Sequence, residues 1–228
     1  MGLIKVTCGC GNLGLVANSA VHVQDGNSWK SIPDDKLYVI DLTANPPKLI
    51  DTVTVGRQPS GLSISKKGDL ALIANRDGKS VSVVSIQGST VKAVGEVPLE
   101  QQAAAVVIAP DGRRAFVCLN LVNKIGVLAI DGQNVTYDKS MDIPSAFNPY
   151  NIDITPDGKY VIVSNTGAQK NNADAEVIIE ATGPHPHVVD VMAPGNGPEG
   201  FAIAPDGKTA ATPLLLGKLT LKWSCFVT

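Results

Sequence analysis

A short phrase returns along this chain and limits what it can fold into. Its fullest copy is Ile154-Thr155-Pro156-Asp157-Gly158-Lys159-Tyr160-Val161-Ile162-Val163-Ser164-Asn165. Shorter copies read Ile108-Ala109-Pro110-Asp111-Gly112-Arg113 and Ile203-Ala204-Pro205-Asp206-Gly207-Lys208, and a diverged one runs from Ile64 to Asn75. Each joins two apolar, β-branched runs. Between them proline presets φ, aspartate caps the local backbone and glycine takes a positive φ. The phrase is a hairpin, and its return makes it a ruler.

The turn glycines Gly68, Gly112, Gly158 and Gly207 follow one another at 44, 46 and 49 residues. A fifth copy, Gly11-Asn12-Leu13-Gly14-Leu15-Val16-Ala17-Asn18, matches Gly68 to Asn75 at a distance of 57, with the surplus in an insertion from Ser19 to Asp35. A second signature, Lys36-Leu37-Tyr38-Val39-Ile40-Asp41-Leu42, is echoed at 80–86, 124–130 and 175–180. A further β-rich run follows at 49–55, 91–97 and 188–191. Each repeat thus holds four short strands, A to D, with the Pro-Asp-Gly turn between A and B. Helix-period stretches with caps are absent.

Four antiparallel strands at this spacing predict an all-β fold, a β-propeller of four-stranded antiparallel blades. A parallel β-helix has shorter coils and no hairpin signal. Repeats begin near residues 3, 61, 104, 150 and 200, which gives about four to five blades with the last incomplete. Residues 1–212 read as the repeat domain and 213–228 as an off-pattern tail without a C-strand signature. The chain then reads as an incomplete or partial propeller, a fragment of a longer one; the rival is a four-bladed ring closed by its terminal strands. An unclosed array has open blade edges, through which self-association is expected.

Composition removes several partners. Hydrophobic residues are 44% and charged residues 18%, at a net charge of −2, so the chain folds and lacks the basic face that nucleic acid or an anionic membrane requires. No run approaches the roughly 18 apolar residues of a membrane helix. Leu3–Val6 is too short for a signal-peptide core. The chain reads as soluble, with no membrane span and no visible signal peptide.

The residues that most resemble something known are Tyr38-Val39-Ile40-Asp41-Leu42 and Pro156-Asp157-Gly158-Lys159-Tyr160-Val161-Ile162-Val163-Ser164-Asn165. They resemble the YVTN-type β-propeller repeat proteins and the related lactonase-like seven-bladed propellers, over residues 11–212. The resemblance implies the fold and a periplasmic or extracellular setting. For function it spans surface-layer proteins, binding scaffolds, sugar lactonases and propellers attached to redox enzymes, which fold alone does not separate.

In a propeller the A strands line a channel, and the D–A and B–C loops share one mouth of it. Entering strand A are Arg57-Gln58-Pro59-Ser60, Glu100-Gln101-Gln102, Asn148-Pro149-Tyr150-Asn151 and Asn196-Gly197-Pro198-Glu199; leaving strand B are Asn18, Asn75-Arg76, Asn120 and Asn165. Two readings follow. The first is a binding or interaction scaffold whose mouth loops take a small polar ligand or a protein partner. The alternative is a lactonase or carboxylic-ester hydrolase, with Glu199 as base and Arg57 or Arg76 as anion clamp. In either, Asn75, Gln102, Asn148, Asn151 and Asn165 are the ligand-binding amides, and a divalent cation such as Ca²⁺ is the cofactor such oxygens would hold. The plain role for each asparagine is a turn residue in a left-handed conformation.

Other chemistry-bearing residues read as structural. Cys8-Gly9-Cys10 has no second pair, and Cys118 lies in an apolar run as a core thiol. Pro184-His185-Pro186-His187 falls in a C–D turn, away from the mouth, and His22 is isolated in the insertion. Asp111, Asp157 and Asp206 recur as turn caps. Catalytic elbows, phosphate loops and zinc-helix motifs are absent from the sequence.

Overall fold

The computed structural model describes residues 12–167, 174–214 and 222–225. The Cys8–Cys10 pair and the start of the first repeat near residue 3 lie outside them. The described chain is built of antiparallel sheets with two single-turn 3₁₀ segments, at Asn120–Val122 and Lys139–Met141. Among the described residues no helix is long and apolar enough to cross a membrane.

The sheets follow the repeats. The first holds β1 (Leu13–Asp25), β2 (Ser28–Asp41) and β3 (Lys48–Thr54). The second holds β4 (Pro59–Ile64), β5 (Leu70–Asn75), β6 (Ser80–Gln87) and β7 (Thr90–Pro98) in that order. The third holds β8 (Ala103–Ile108), β9 (Arg114–Leu119), β10 (Lys124–Asp131) and β11 (Asn134–Tyr137), with the two-residue β12 (Ile143–Pro144) also on β10. The fourth holds β13 (Pro149–Ile154), β14 (Tyr160–Asn165), β15 (Ala175–Glu180) and β16 (His187–Met192). The fifth holds β17 (Ala202–Ile203), β18 (Thr209–Thr212) and β19 (Lys222–Cys225), so its third strand comes from the segment that lacks the C-strand signature. The insertion is no separate element. It lengthens the β1–β2 hairpin into a ribbon that turns at Gly26, with Val21 opposite Ile32 and Gln24 opposite Trp29.

The chain divides into two compact units, one running to Ala103 with Ile130–Thr136, the other Ala104–Ala129 with the described residues from Tyr137 on. The first has a core of Leu15, Ala17, Leu37 and Val39 from sheet one against Leu62, Ala71, Ile73 and Val84 from sheet two. The second packs Phe116, Cys118, Ile125 and Val127 of sheet three against Ile152, Val161, Val163, Val177 and Ile179 of sheet four. Both are face-to-face packings of β-branched strand faces, as in stacked propeller blades. Burial pushes the Cys118 thiol well above its ordinary range, which makes it inert.

The hinges are one structure used four times. Gly68, Gly112, Gly158 and Gly207 have φ between 69° and 75°, and each donates its N–H to the carbonyl three residues earlier at 2.8 Å. Asp111, Asp157 and Asp206 each accept the N–H two residues on, at 2.9–3.0 Å. The recurring aspartate is a local cap. The Thr155 hydroxyl and then the Lys159 N–H hold the Asp157 carboxyl below its usual range. Its stabilisation is therefore present above the unfolded carboxylate value and is lost as pH falls through the lowered folded value. Asp157→Asn is expected to flatten that part of the acid limb in a pH series of thermal melts.

The hinges also carry contacts between successive blades. A Cβ on Gly158 would stand 3.2 Å from Pro110 Cδ, and one on Gly207 would stand 3.1 Å from Pro156 Cδ. Gly112 has the same backbone with nothing within 4 Å. Gly112→Ala should therefore cost only left-handed strain, about 1 kcal/mol. Gly158→Ala should cost about 1 kcal/mol more, because Pro110 must give way. Equal losses in urea denaturation would remove the stacking term.

Candidate functional site

At the end of each blade opposite the hinges, the D–A connection turns a sharp corner into strand A. Gln58 (φ 56), Asn148 (φ 58) and Gly197 (φ 74) each stand ten residues before their hinge glycine and each precedes a proline. The left-handed residue reverses the chain, and proline fixes the next φ and pushes the strand start into register. The third blade has Gln102-Ala103 at this offset, and its left-handed residue is Glu100 (φ 61).

In the first unit one corner gathers two of the nominated side chains. Arg76 donates its N–H to the Gln58 carbonyl at 3.0 Å, and Gly78 donates to the Arg57 carbonyl at 3.0 Å. These two bonds tie the B–C loop to the D–A loop and set Arg57 and Arg76 on one corner. The Arg57 side chain is 65% exposed, with Nε 3.6 Å from Asp77 Oδ2, and Arg76 is half-buried. Asn75 lies beneath the corner and is fully buried. Its amide donates to the Gly56 carbonyl at 3.3 Å, accepts from Ser82 N–H at 3.2 Å and from Ser82 Oγ at 2.9 Å, and lies 3.0 Å from Ser80 Oγ. Ser82 Oγ also accepts the Gly56 N–H at 2.9 Å, and the Ser80 hydroxyl donates to Glu96.

The second unit repeats the plan. Asn165 is fully buried, donates to the Val163 and Ala175 carbonyls at 3.1 and 3.2 Å, and accepts the Ser145 hydroxyl at 2.9 Å. Asn148 takes the Asn123 side-chain oxygen on its N–H at 2.9 Å and donates its amide to Thr166 at 2.6 Å. Thr166 returns its N–H to the Asn148 carbonyl at 3.1 Å. Asn151 accepts the neighbouring Ile152 N–H at 3.0 Å. It also lies 3.5 Å from a Cβ built on Gly200, beside exposed Glu199. Gln102 is half-buried. So Asn75 and Asn165 have their amides engaged by the fold, whereas Arg57 and Glu199 face solvent.

Polar groups that the sequence reading passed over lie where sheet four meets sheet five. Glu176 is 3% exposed and Asp174 is 6% exposed. Thr212 donates its hydroxyl to Glu176, and Gly197 donates its N–H to Asp174. Burial pushes the Glu176 carboxyl up, against the Thr212 hydrogen bond. The signal was in the repeat alignment. Ser164 pairs with Glu176 where the other blades pair Ala17 with Leu37, Ala74 with Val81 and Cys118 with Ile125.

Two cavities open at the hinge ends. One, of about 470 Å³ in the first unit, is lined by Asp41, Thr43, Lys67 and Asp69 among others. The other, of about 310 Å³ in the second unit, is lined by Asp111, Arg114, Asp157 and Thr182 among others. Neither is lined by a nominated residue. His185 and His187 are exposed in the β15–β16 turn.

Repeated antiparallel sheets of three to five strands, shared hinges and face-to-face packing define the class as β-propeller. More particularly, residues 87–173 match the family described as lactonase, 7-bladed β-propeller, so that stretch is similar to lactonase-type propellers. Among solved structures it is similar to Kuenenia stuttgartiensis hydrazine synthase, at 23% identity and a TM-score of 0.65, over 90% of this chain and 56% of that one. The chain thus spans little more than half of that protein's length. It is also similar to candidate 6-phosphogluconolactonases of Bacteroides fragilis (14% identity, TM-score 0.61, 85% of this chain and 62% of that one) and Bacteroides uniformis (15%, 0.53, 90% and 75%). At these identities the likeness is one of fold. No curated protein sequence matches the chain significantly. Gln102, Asn148, Asn151 and Asn165 fall inside the family match, and Arg57, Arg76 and Glu199 fall outside it.

Proposed function

We propose that this protein is a binding propeller whose blade-end corners take a small polar ligand carrying an anionic group. The observation that carries the reading is the corner at Arg57 and Arg76, where two backbone hydrogen bonds at 3.0 Å hold two arginines together and the Arg57 side chain is 65% exposed. Arginine suits this role because its planar fork pairs a carboxylate or phosphate through two N–H groups and is only weakly hydrated. Asp77 at 3.6 Å pairs Arg57 only loosely, so the exposed Arg57 guanidinium stays open to an anion. Asn75 and Asn165 serve in this proposal as positioning residues beneath the corners. Gln102 is a candidate ligand amide of the first unit, and Asn148 and Asn151 are those at the corners of the second unit.

The test is a calorimetric titration with 6-phosphogluconate, a sugar acid bearing two anionic groups. Binding in the micromolar to millimolar range that weakens as salt rises is expected. No heat up to tens of millimolar would sink the proposal.

A second reading, hydrolysis of a small lactone or ester, is favoured by the lactonase family match over 87–173. Glu199 is the proposed base, being an exposed carboxylate at the last corner. In a lactone screen Glu199→Gln should abolish turnover and leave 6-phosphogluconate binding unchanged. A periplasmic or extracellular setting and self-association through blade edges belong to the same proposal, the latter read by the mass in solution.

A further inference from the structure

The seam between sheets four and five holds buried oxygens at a position that is apolar in the first three sheets. Ser164 and Glu176 face one another across β14 and β15, so their side chains leave the same face with Cβ atoms about 5 Å apart. That face is turned to β18, because Thr212 donates to Glu176. Asp174, two residues before Glu176 and just ahead of β15, accepts Gly197 N–H on Oδ2. Its other oxygen, Oδ1, and the Ser164 hydroxyl are shut off from solvent and have no hydrogen-bond partner. Ser164 itself is fully buried.

Among the described residues the two carboxylates are held by Gly197 N–H and the Thr212 hydroxyl, and neither has a basic partner. A buried carboxylate without compensation costs several kcal/mol. In sheets one, two and three this position holds Ala17–Leu37, Ala74–Val81 and Cys118–Ile125. Such apolar pairs fill a blade face at no electrostatic cost. The fourth blade replaces both members by oxygen-bearing residues at once and adds Asp174 beside them.

We infer that Asp174, Glu176 and Ser164 form a site for a hard divalent cation of the calcium or magnesium type. The donors are all oxygen and two are carboxylates, which suits such ions and not the softer zinc or copper. Thr212 and Gly197 N–H each hold one carboxylate oxygen and leave the other for the ion, as the outer partners of metal ligands do. Water completes the coordination. This places the cation in a blade seam and not on the amides of the corners. It is independent of the ligand proposed above.

The test is calorimetry and thermal melting of the full chain, freed of metal by chelator and titrated with calcium chloride or magnesium chloride alone. One ion per chain is expected. At about a hundredfold excess over Kd the Tm should rise by roughly 5–10 °C. Asp174→Asn and Glu176→Val should each weaken binding at least tenfold, and Ser164→Ala several-fold, while Glu199→Gln binds as the parent does. Glu176→Val installs the residue of the second blade, so its Tm in chelator should equal or exceed the parent's, which separates lost binding from lost folding. The inference is overturned if neither ion gives heat or a Tm shift, or if Asp174→Asn and Ser164→Ala both keep the parent's affinity.

Discussion

Gly56→Ala is expected to destabilise the protein by about 3–4 kcal/mol, enough to lower Tm by roughly 10 °C. The position has no left-handed requirement, so the cost comes wholly from space. A Cβ there would stand 2.2 Å from the end of the Asn75 amide, 2.5 Å from its Cγ and 2.9 Å from its Cβ. The last of these cannot be relieved by rotating a side chain, because Asn75 Cβ is fixed by strand β5. Moving the amide would also break its contacts with buried Ser82 and the half-buried Gly56 carbonyl. A buried group left without its partner costs about 1–3 kcal/mol beyond the overlap itself. Gly95→Ala is the control. Its Cβ would meet Val83 at 3.8 Å, ordinary contact, so its effect should stay within about 0.5 kcal/mol. Similar melting temperatures for the two variants would show that Asn75 does not brace the corner.

The parts of this fold that were legible in the sequence are those with a period. The hinge glycines need a positive φ, which the structure gives at 69–75°, and the strand runs alternate or bury as β-branched residues do. The site was harder, because side chains at strand ends serve two masters. Asn75 and Asn165 were nominated as ligand amides, with a left-handed turn role as the plain alternative. Both lie in extended strands and not in left-handed turns, buried, with their amides spanning the B–C corner. Among the described residues the left-handed asparagines are Asn123 and Asn148. What separates these cases is the neighbour across the corner, which is distant in sequence: Gly56 and Ser82 for Asn75, Ser145 for Asn165. Glu176 teaches the reverse. Its departure from Leu37, Val81 and Ile125 was open to alignment, yet its significance depended on Thr212, which lies 36 residues away in the next sheet.

Arg57→Ala should behave in the opposite way to Gly56→Ala, losing binding and keeping stability. Its side chain is 65% exposed, and its contact with Asp77 at 3.6 Å is worth at most about 1 kcal/mol. Folding therefore gains little from it, and Tm should move by no more than about 2–4 °C. A bound phosphate or carboxylate gains much more, since each charge-assisted, paired hydrogen bond contributes about 1.5–3 kcal/mol. Affinity for 6-phosphogluconate should fall roughly 10–100-fold in Arg57→Ala, and the salt dependence should become shallower. Arg57→Lys keeps the charge but not the fork, so it should recover only part of the loss. Because Arg57 and Arg76 share one corner, their effects should not add: the double variant should lose less than the product of the single losses. Full additivity, or affinity untouched by either substitution, would mean that the two guanidinium groups do not act on one anion.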